Sequence, residues 1–257
     1  MRIHTLLLAL SFAVGLGSNV TPAAAVTKNA EATKSKADAK RYRQGFNQGI
    51  TRTDQLDGPE LQSIRRRMIA RQQISYKELQ MLADRGDGVA AIYVAKRLAA
   101  NPTLKADAVH YYTIACSTGR AGAVAPLSRL LSTETGSISD PRLDQAEQTL
   151  RDHAAHGNPV AVAQLIKFYK SGHPFGAKPD EVIRLERQAA SSGNAKTALD
   201  MAISMISQGL TSEQEKKEAR QFLTTAQTSA EPSTRAVAAA VLRRLDTEPT
   251  NLVEVSQ

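Results

Sequence analysis

The chain has one cysteine in 257 residues, no tryptophan, and only 4% aromatic residues. A single thiol has no intramolecular partner, so no disulfide framework holds this fold. The signatures that concentrate chemistry are missing as well: there is no G-x-S-x-G, no H-E-x-x-H and no P-loop. Acidic residues are scattered next to Lys or Arg, as between Glu213 and Arg220, which is the pattern of solvated helix faces. Beyond residue 25 no apolar stretch approaches the ~18 residues of a membrane span. These absences predict a protein that is not an enzyme, uses no cofactor, and does not span a membrane once its leader is removed.

What is present begins with that leader. Arg2 gives a positive start, Leu6 to Leu16 is an eleven-residue apolar run, and Ala23-Ala24-Ala25 offers a small-residue cleavage site. Residues 1–25 therefore read as a secretory signal peptide cut after Ala25, and a periplasmic or secreted location is expected. The formal net charge is +8. In an exported protein this excess points away from nucleic acid and toward acidic polysaccharide, lipid phosphate or acidic protein faces. Residues 26–57 form a basic lead-in, with six Lys or Arg between Lys28 and Arg43 against Glu31 and Asp38. Its composition buries little and predicts flexibility, although Tyr42 and Phe46 are placed to start a helix or a docking segment.

The rest of the chain repeats itself. Gly86, Gly119, Gly157 and Gly193, with Ser229 in a fifth register, are spaced by 33 to 38 residues. Three residues before each stands a small one: Ala83, Cys116, Ala154, Ala190, Ala226. Eight residues after each stands an apolar one: Val94, Leu127, Leu165, Met201, Val237. Twelve after stands another, from Leu98 to Val241. Such columns at helical spacing predict an all-α solenoid of stacked antiparallel helix pairs over residues 58–245, with a disordered tail at 246–257. The glycine and alanine columns predict close helix packing and left-handed helix ends. Cys116 shares an alanine column and reads as a small buried packing residue. Asp57-Gly58-Pro59-Glu60 marks a first helix whose apolar face is Leu61, Ile64, Met68 and Ile69. Glu186 breaks the bulky column seven residues before the anchors, with Leu185 beside it.

Two stretches resemble a known family. Phe168-Tyr169-Lys170-Ser171-Gly172 through Gly176-Ala177-Lys178-Pro179-Asp180 is similar to the Y-x-x-G-x-G-x-x-x-D loop of the Sel-one-like repeat, with a longer insertion between its glycines. Ala189-Ala190-Ser191-Ser192-Gly193-Asn194 resembles that family's A-A-x-x-G-[DN] junction, as do Ala83 to Asp87 and Ala154 to Asn158. The resemblance covers residues 74–245 and implies four to five tetratricopeptide-like units in a right-handed superhelix. It implies a non-enzymatic adaptor for a protein partner, in cell-envelope assembly, polysaccharide export or its regulation.

Three constellations are candidates for function. His153-Ala-Ala-His156 places two imidazoles one helical turn apart, half of a zinc site that lacks an evident remainder, so no metal is expected. Arg65, Arg66, Arg67 and Arg71, near Lys77, form the densest cationic cluster and the candidate binding residues, with Arg67 and Arg71 expected on one helix face. Bidentate arginine suits phosphate or carboxylate. The alternative readings are a binding module for an anionic envelope polymer and, further off, a metal-dependent hydrolase built on the histidine pair.

Overall fold

The computed structural model describes residues 46, 49–133 and 138–247. The helices are α1 (Pro59–Ile69), α2 (Tyr76–Asp84), α3 (Gly88–Ala99), α4 (Lys105–Ser117), α5 (Val124–Leu131), α6 (Asp140–Ala155), α7 (Pro159–Ser171), α8 (Pro179–Ser191), α9 (Ala195–Gln208), α10 (Glu213–Ala226) and α11 (Pro232–Thr247). Among the described residues there is no strand. Four anchor glycines open the pairs α3–α4, α5–α6, α7–α8 and α9–α10, and α11 begins a fifth. Helices two apart also touch: α4 meets α6, α5 meets α7, α8 meets α10 and α9 meets α11. Each layer thus packs on the next, which is the all-α solenoid that the period predicts.

One turn, used four times, sets the layering. The amide of Gly86 donates to Ala83 O and that of Asp87 to Leu82 O; the same two bonds recur at Gly119/Arg120, Gly157/Asn158 and Gly193/Asn194. This is the Schellman ending, and it requires a left-handed residue at the glycine. The φ angles there are +84°, +74°, +78° and +93°. A β-carbon added at Gly157 or Gly193 would meet nothing within 4 Å. Backbone conformation, rather than the collision expected from the sequence, is what demands glycine at these two. Collision is the reason elsewhere: a β-carbon on Gly88 would strike Thr118.

The residue after the glycine starts the next helix. Asp87 Oδ1 accepts from Val89 N and Ala90 N at 2.9 and 3.0 Å, and Asn158 Oδ1 accepts from Val160 N and Ala161 N at 3.0 and 3.1 Å. Asn194 accepts from Thr197 N at 3.1 Å. These are N-caps satisfying otherwise orphaned amides. The second junction has Arg120 in that position, with no capping bond; a turn of 3-10 helix (Ala121–Ala123) intervenes, and α5 is only 8 residues long.

The small-residue column is buried throughout, from Ala83 to Ala226. The anchor-plus-eight column is buried through Met201, but Val237 is 44% exposed because no described helix follows α11. At α8 Leu185 is fully buried and Glu186 turns outward to Lys170, so this helix presents its neighbour one residue earlier than the column implies. Buried apolar side chains gather into two clusters, one from Leu56 to Leu185 and another from Ala190 to Ala238. In α1, Leu61, Ile64 and Met68 are buried as expected, but Ile69 is 56% exposed. Arg65 takes the remaining place in the stripe.

Gly157→Val should lower unfolding free energy by about 1–3 kcal/mol, because a β-branched residue is strained at positive φ. Gly157→Asn, which tolerates that region, should cost clearly less. Urea denaturation followed by circular dichroism measures both.

Candidate binding surface and the histidine pair

The four arginines of the candidate cluster are not equivalent. Arg65 is buried, and its Nε donates to Asp87 Oδ2 at 2.7 Å. Its other nitrogens reach Thr53 Oγ1 at 3.0 Å and Thr51 O at 2.9 Å. Arg67 is half-buried and pairs with Glu78. Only Arg66 and Arg71 are exposed. Arg66 donates to Gln62 Oε1 at 3.2 Å. Arg71 lies past the end of α1 at φ +57°, so it does not share a helix face with Arg67 as the spacing predicts. Helix α1 stops at Ile69, and the chain turns left-handed there.

Arg65 and Asp87 together make a clasp. Asp87 caps α3 with one oxygen and holds Arg65 with the other, while Arg65 binds the segment before α1. A buried ion pair with every partner in place is tolerable; losing one partner strands the other charge. Glu78 is held at a pKa of about 2, chiefly by the backbone amide of Ser75, then by Arg67. This Ser75–Glu78 capping box starts α2.

The lead-in does not behave as its composition predicts where it is described. Ile50 N donates to Gly86 O at 3.0 Å. Gly49 lies between the first two junctions: an added β-carbon would strike Gly86 O and come within 2.6 Å of Thr118 Cγ2. The Phe46 ring rests on His153 and His156 of the third junction, with centroids 4.4 and 4.5 Å away. Leu56 is buried and Ile50 partly so. Three apolar anchors, Phe46, Ile50 and Leu56, with the Ile50–Gly86 hydrogen bond seat Phe46 and residues 49–57 as a strap across the first three junctions. Residues 1–45 and 248–257, which carry the signal peptide and tail expectations, lie outside the described residues.

Both histidines of the pair are engaged with main chain. His153 is fully buried, with Nε2 2.9 Å from Cys116 O; a carbonyl only accepts, so Nε2 carries the proton. His156 Nδ1 lies 2.7 Å from Asp152 O and donates by the same logic. Burial lowers the His153 pKa below the usual histidine range, the Cys116 bond opposing it in part. Among the described residues, no group of three or more His, Cys, Asp or Glu is arranged to hold a metal ion. The Cys116 thiol is fully buried and its pKa is pushed well up by that burial, so it is no ready nucleophile.

Polar side chains elsewhere tie layers together. Tyr169 Oη donates to Glu147 Oε1 at 2.6 Å, and Lys178 Nζ reaches the same oxygen at 2.5 Å. Burial first, then that carboxylate, raises the Tyr169 pKa. Tyr111 does the same for α2 and α4, donating to Asp84 at 2.8 Å, with its pKa pushed up to about 12 by burial first. His173 Nε2 lies 3.0 Å from Thr133 O. None of these groups pairs a nucleophile with a base.

Concave places lie among the described residues as well. A cleft of about 310 Å³ lies at the fourth junction, between Val162, Ala163 and Ile166 of α7 and Gln188, Ala189 and Ser192 around the end of α8. A second, of about 260 Å³, runs between Ile203 and Ile206 of α9 and Val241 and Leu245 of α11. Beside the second, Ile203 is 42% exposed. Sequence reasoning found neither. Their walls come from residues in different repeats, and of the repeat columns the Gly157 and Gly193 anchors and Val241 touch them.

Fold and site together define an all-α helical-repeat protein in which Arg65, Tyr111, His153 and Tyr169 tie one layer to another. Among solved structures, the chain is similar to the crystal structure of a Sel1 repeat protein from Oxalobacter formigenes, with 17% identity over 68% of this chain and 73% of that one, and a TM-score of 0.42. No family model and no curated protein matches the sequence.

Asp87→Asn keeps the cap on α3 but replaces the acceptor facing Arg65; it should cost about 3–5 kcal/mol in chemical denaturation. The His153 prediction concerns pH. Its folded-state pKa is below the unfolded value of 6.5. As pH falls through about 6.5 the unfolded chain takes the proton first, so this contribution is complete above that pH and is lost below it. The melting temperature should drop between pH 7 and pH 5, and His153→Gln, which keeps a donor for Cys116 O, should drop less.

Proposed function

We propose that this protein is an exported helical-repeat scaffold that docks a protein partner and performs no bond chemistry. The observation that carries the reading is the groove between α9 and α11. It is walled by Ile206, Val241, Leu245 and the exposed Ile203, at the end of the array where no described helix covers it. A rigid, preformed apolar surface reduces the ordering cost of a docking segment. Interface centres of this kind are apolar and aromatic-seeking rather than charged.

Export rests on the short apolar run and alanine site at residues 1–25, and the partner is accordingly a cell-envelope protein. Envelope assembly, polysaccharide export or regulation of export is the pathway range that suits such a scaffold. The anionic-polymer reading is weaker because Arg65 and Arg67 already face Asp87 and Glu78. That leaves Arg66 and Arg71 as exposed members of the cluster.

Two measurements test the proposal. Cross-linked pull-down from the native envelope should enrich one protein, and Ile203→Glu should reduce its recovery about tenfold or more with the melting temperature little changed. Retention that collapses as salt rises from low to physiological strength would favour the polymer instead. N-terminal sequencing of the processed chain should begin at Val26; an unprocessed chain confined to the cytoplasm would overturn export.

A further inference from the structure

The seat of Phe46 has a second copy one repeat further on, and it is the cleft at the fourth junction. Counting back from each anchor glycine, the residues four and one before it are His153 and His156 at the third junction and Ala189 and Ser192 at the fourth. Phe46 rests on the first pair. The second pair lines the cleft, together with Gln188, which matches Asp152. Where the third junction offers two imidazole rings, the fourth offers a methyl and a hydroxymethyl. A cleft of about 310 Å³ lies beside these smaller side chains.

The strap is aimed along this row. Gly49 touches the first and second junctions and Phe46 the third, so the chain advances toward the fourth as residue numbers fall. An extended chain covers about 3.3 Å per residue, and packed helix layers are about 8–10 Å apart. One junction is therefore passed every three residues or so. Four residues before Phe46 is Tyr42, outside the described residues and the nearest aromatic upstream.

We propose that Tyr42 of this chain's own lead-in occupies the fourth-junction cleft as Phe46 occupies the third, extending the strap over one more repeat. The chemistry fits a tyrosine better than a second phenylalanine. Val162, Ala163, Ile166 and Ala189 take the ring. Gln188 donates through Nε2 to Ala154 O at 2.6 Å, which leaves Oε1 to accept from the tyrosine hydroxyl. Amphipathic rings favour sites with one apolar and one polar end. The inference is independent of the proposed partner groove, which lies between α9 and α11.

The lack of tryptophan makes the test direct. Tyr42→Trp, Phe46→Trp and Lys34→Trp are each a single-tryptophan protein. Acrylamide quenching of Tyr42→Trp should resemble Phe46→Trp and fall well below Lys34→Trp. Quenching equal to Lys34→Trp overturns the proposal. A second arm assigns the cleft. Copper–phenanthroline air oxidation of the Tyr42→Cys/Ser192→Cys protein should give an intrachain disulfide about tenfold more readily than Tyr42→Cys/Ser207→Cys, whose second thiol is in the other groove. Native Cys116 is fully buried and does not compete. Equal rates in the two pairs, or cross-linking only between molecules, overturn the assignment and leave the cleft to a partner protein. Both arms are read on full-length processed chain with wild-type circular dichroism.

Discussion

Everything in this array depends on how its helices end. A helix leaves four carbonyls and four amides without partners at its termini, and stacking helices in layers places those termini close together. The chain solves this with one device: a glycine at positive φ lets two amides turn back onto the helix just finished, and an Asp or Asn immediately caps the next. Where the second half of the device is lost, at Arg120, the following helix starts late through a 3-10 turn and is short. Layer geometry therefore follows from local chemistry before any core contact is counted.

The first junction adds a second use of the cap. Asp87 holds Arg65, and Arg65 holds the Thr51–Thr53 stretch, so one carboxylate links a repeat to the segment lying across it. This turns a candidate ligand-binding arginine into an internal fastener. The same economy applies to His153, Tyr111 and Tyr169, each engaged with a carbonyl or carboxylate of a neighbouring layer.

The repeat was legible because its requirements are local. Positive φ selects glycine, close packing selects alanine, and the cap selects Asp or Asn, so a periodic count of small residues locates every junction from Gly86 to Gly193. The start of α10 follows the same local chemistry, with Ser212 and Glu215 forming a reciprocal capping box. What stayed hidden depends on residues far apart in sequence. Arg65 belongs to a buried stripe at positions 61, 64, 65 and 68, which is a regular helical face, yet its charge argues for the surface until Asp87, 22 residues away in sequence, is known to be adjacent. Phe46 was legible as the start of a helix or docking segment, but its seat was not, because His153 and His156 lie about a hundred residues later. The clefts are invisible for a similar reason: a missing ring at Ala189 and Ser192 means something only beside the rings at His153 and His156.

The division of the buried apolar side chains at α8 has a mechanical consequence. The cluster ending at Leu185 is fastened at its far end by the Arg65–Asp87 clasp and the strap. The smaller one, from Ala190 to Ala238, has α11, the last described helix, as its outer wall. Cooperative units in a linear stack extend only as far as their shared burial. Amides of α9 to α11 should accordingly open to solvent exchange before those of α3 to α7, and force applied to the carboxyl end would peel that portion first while the earlier layers stayed intact.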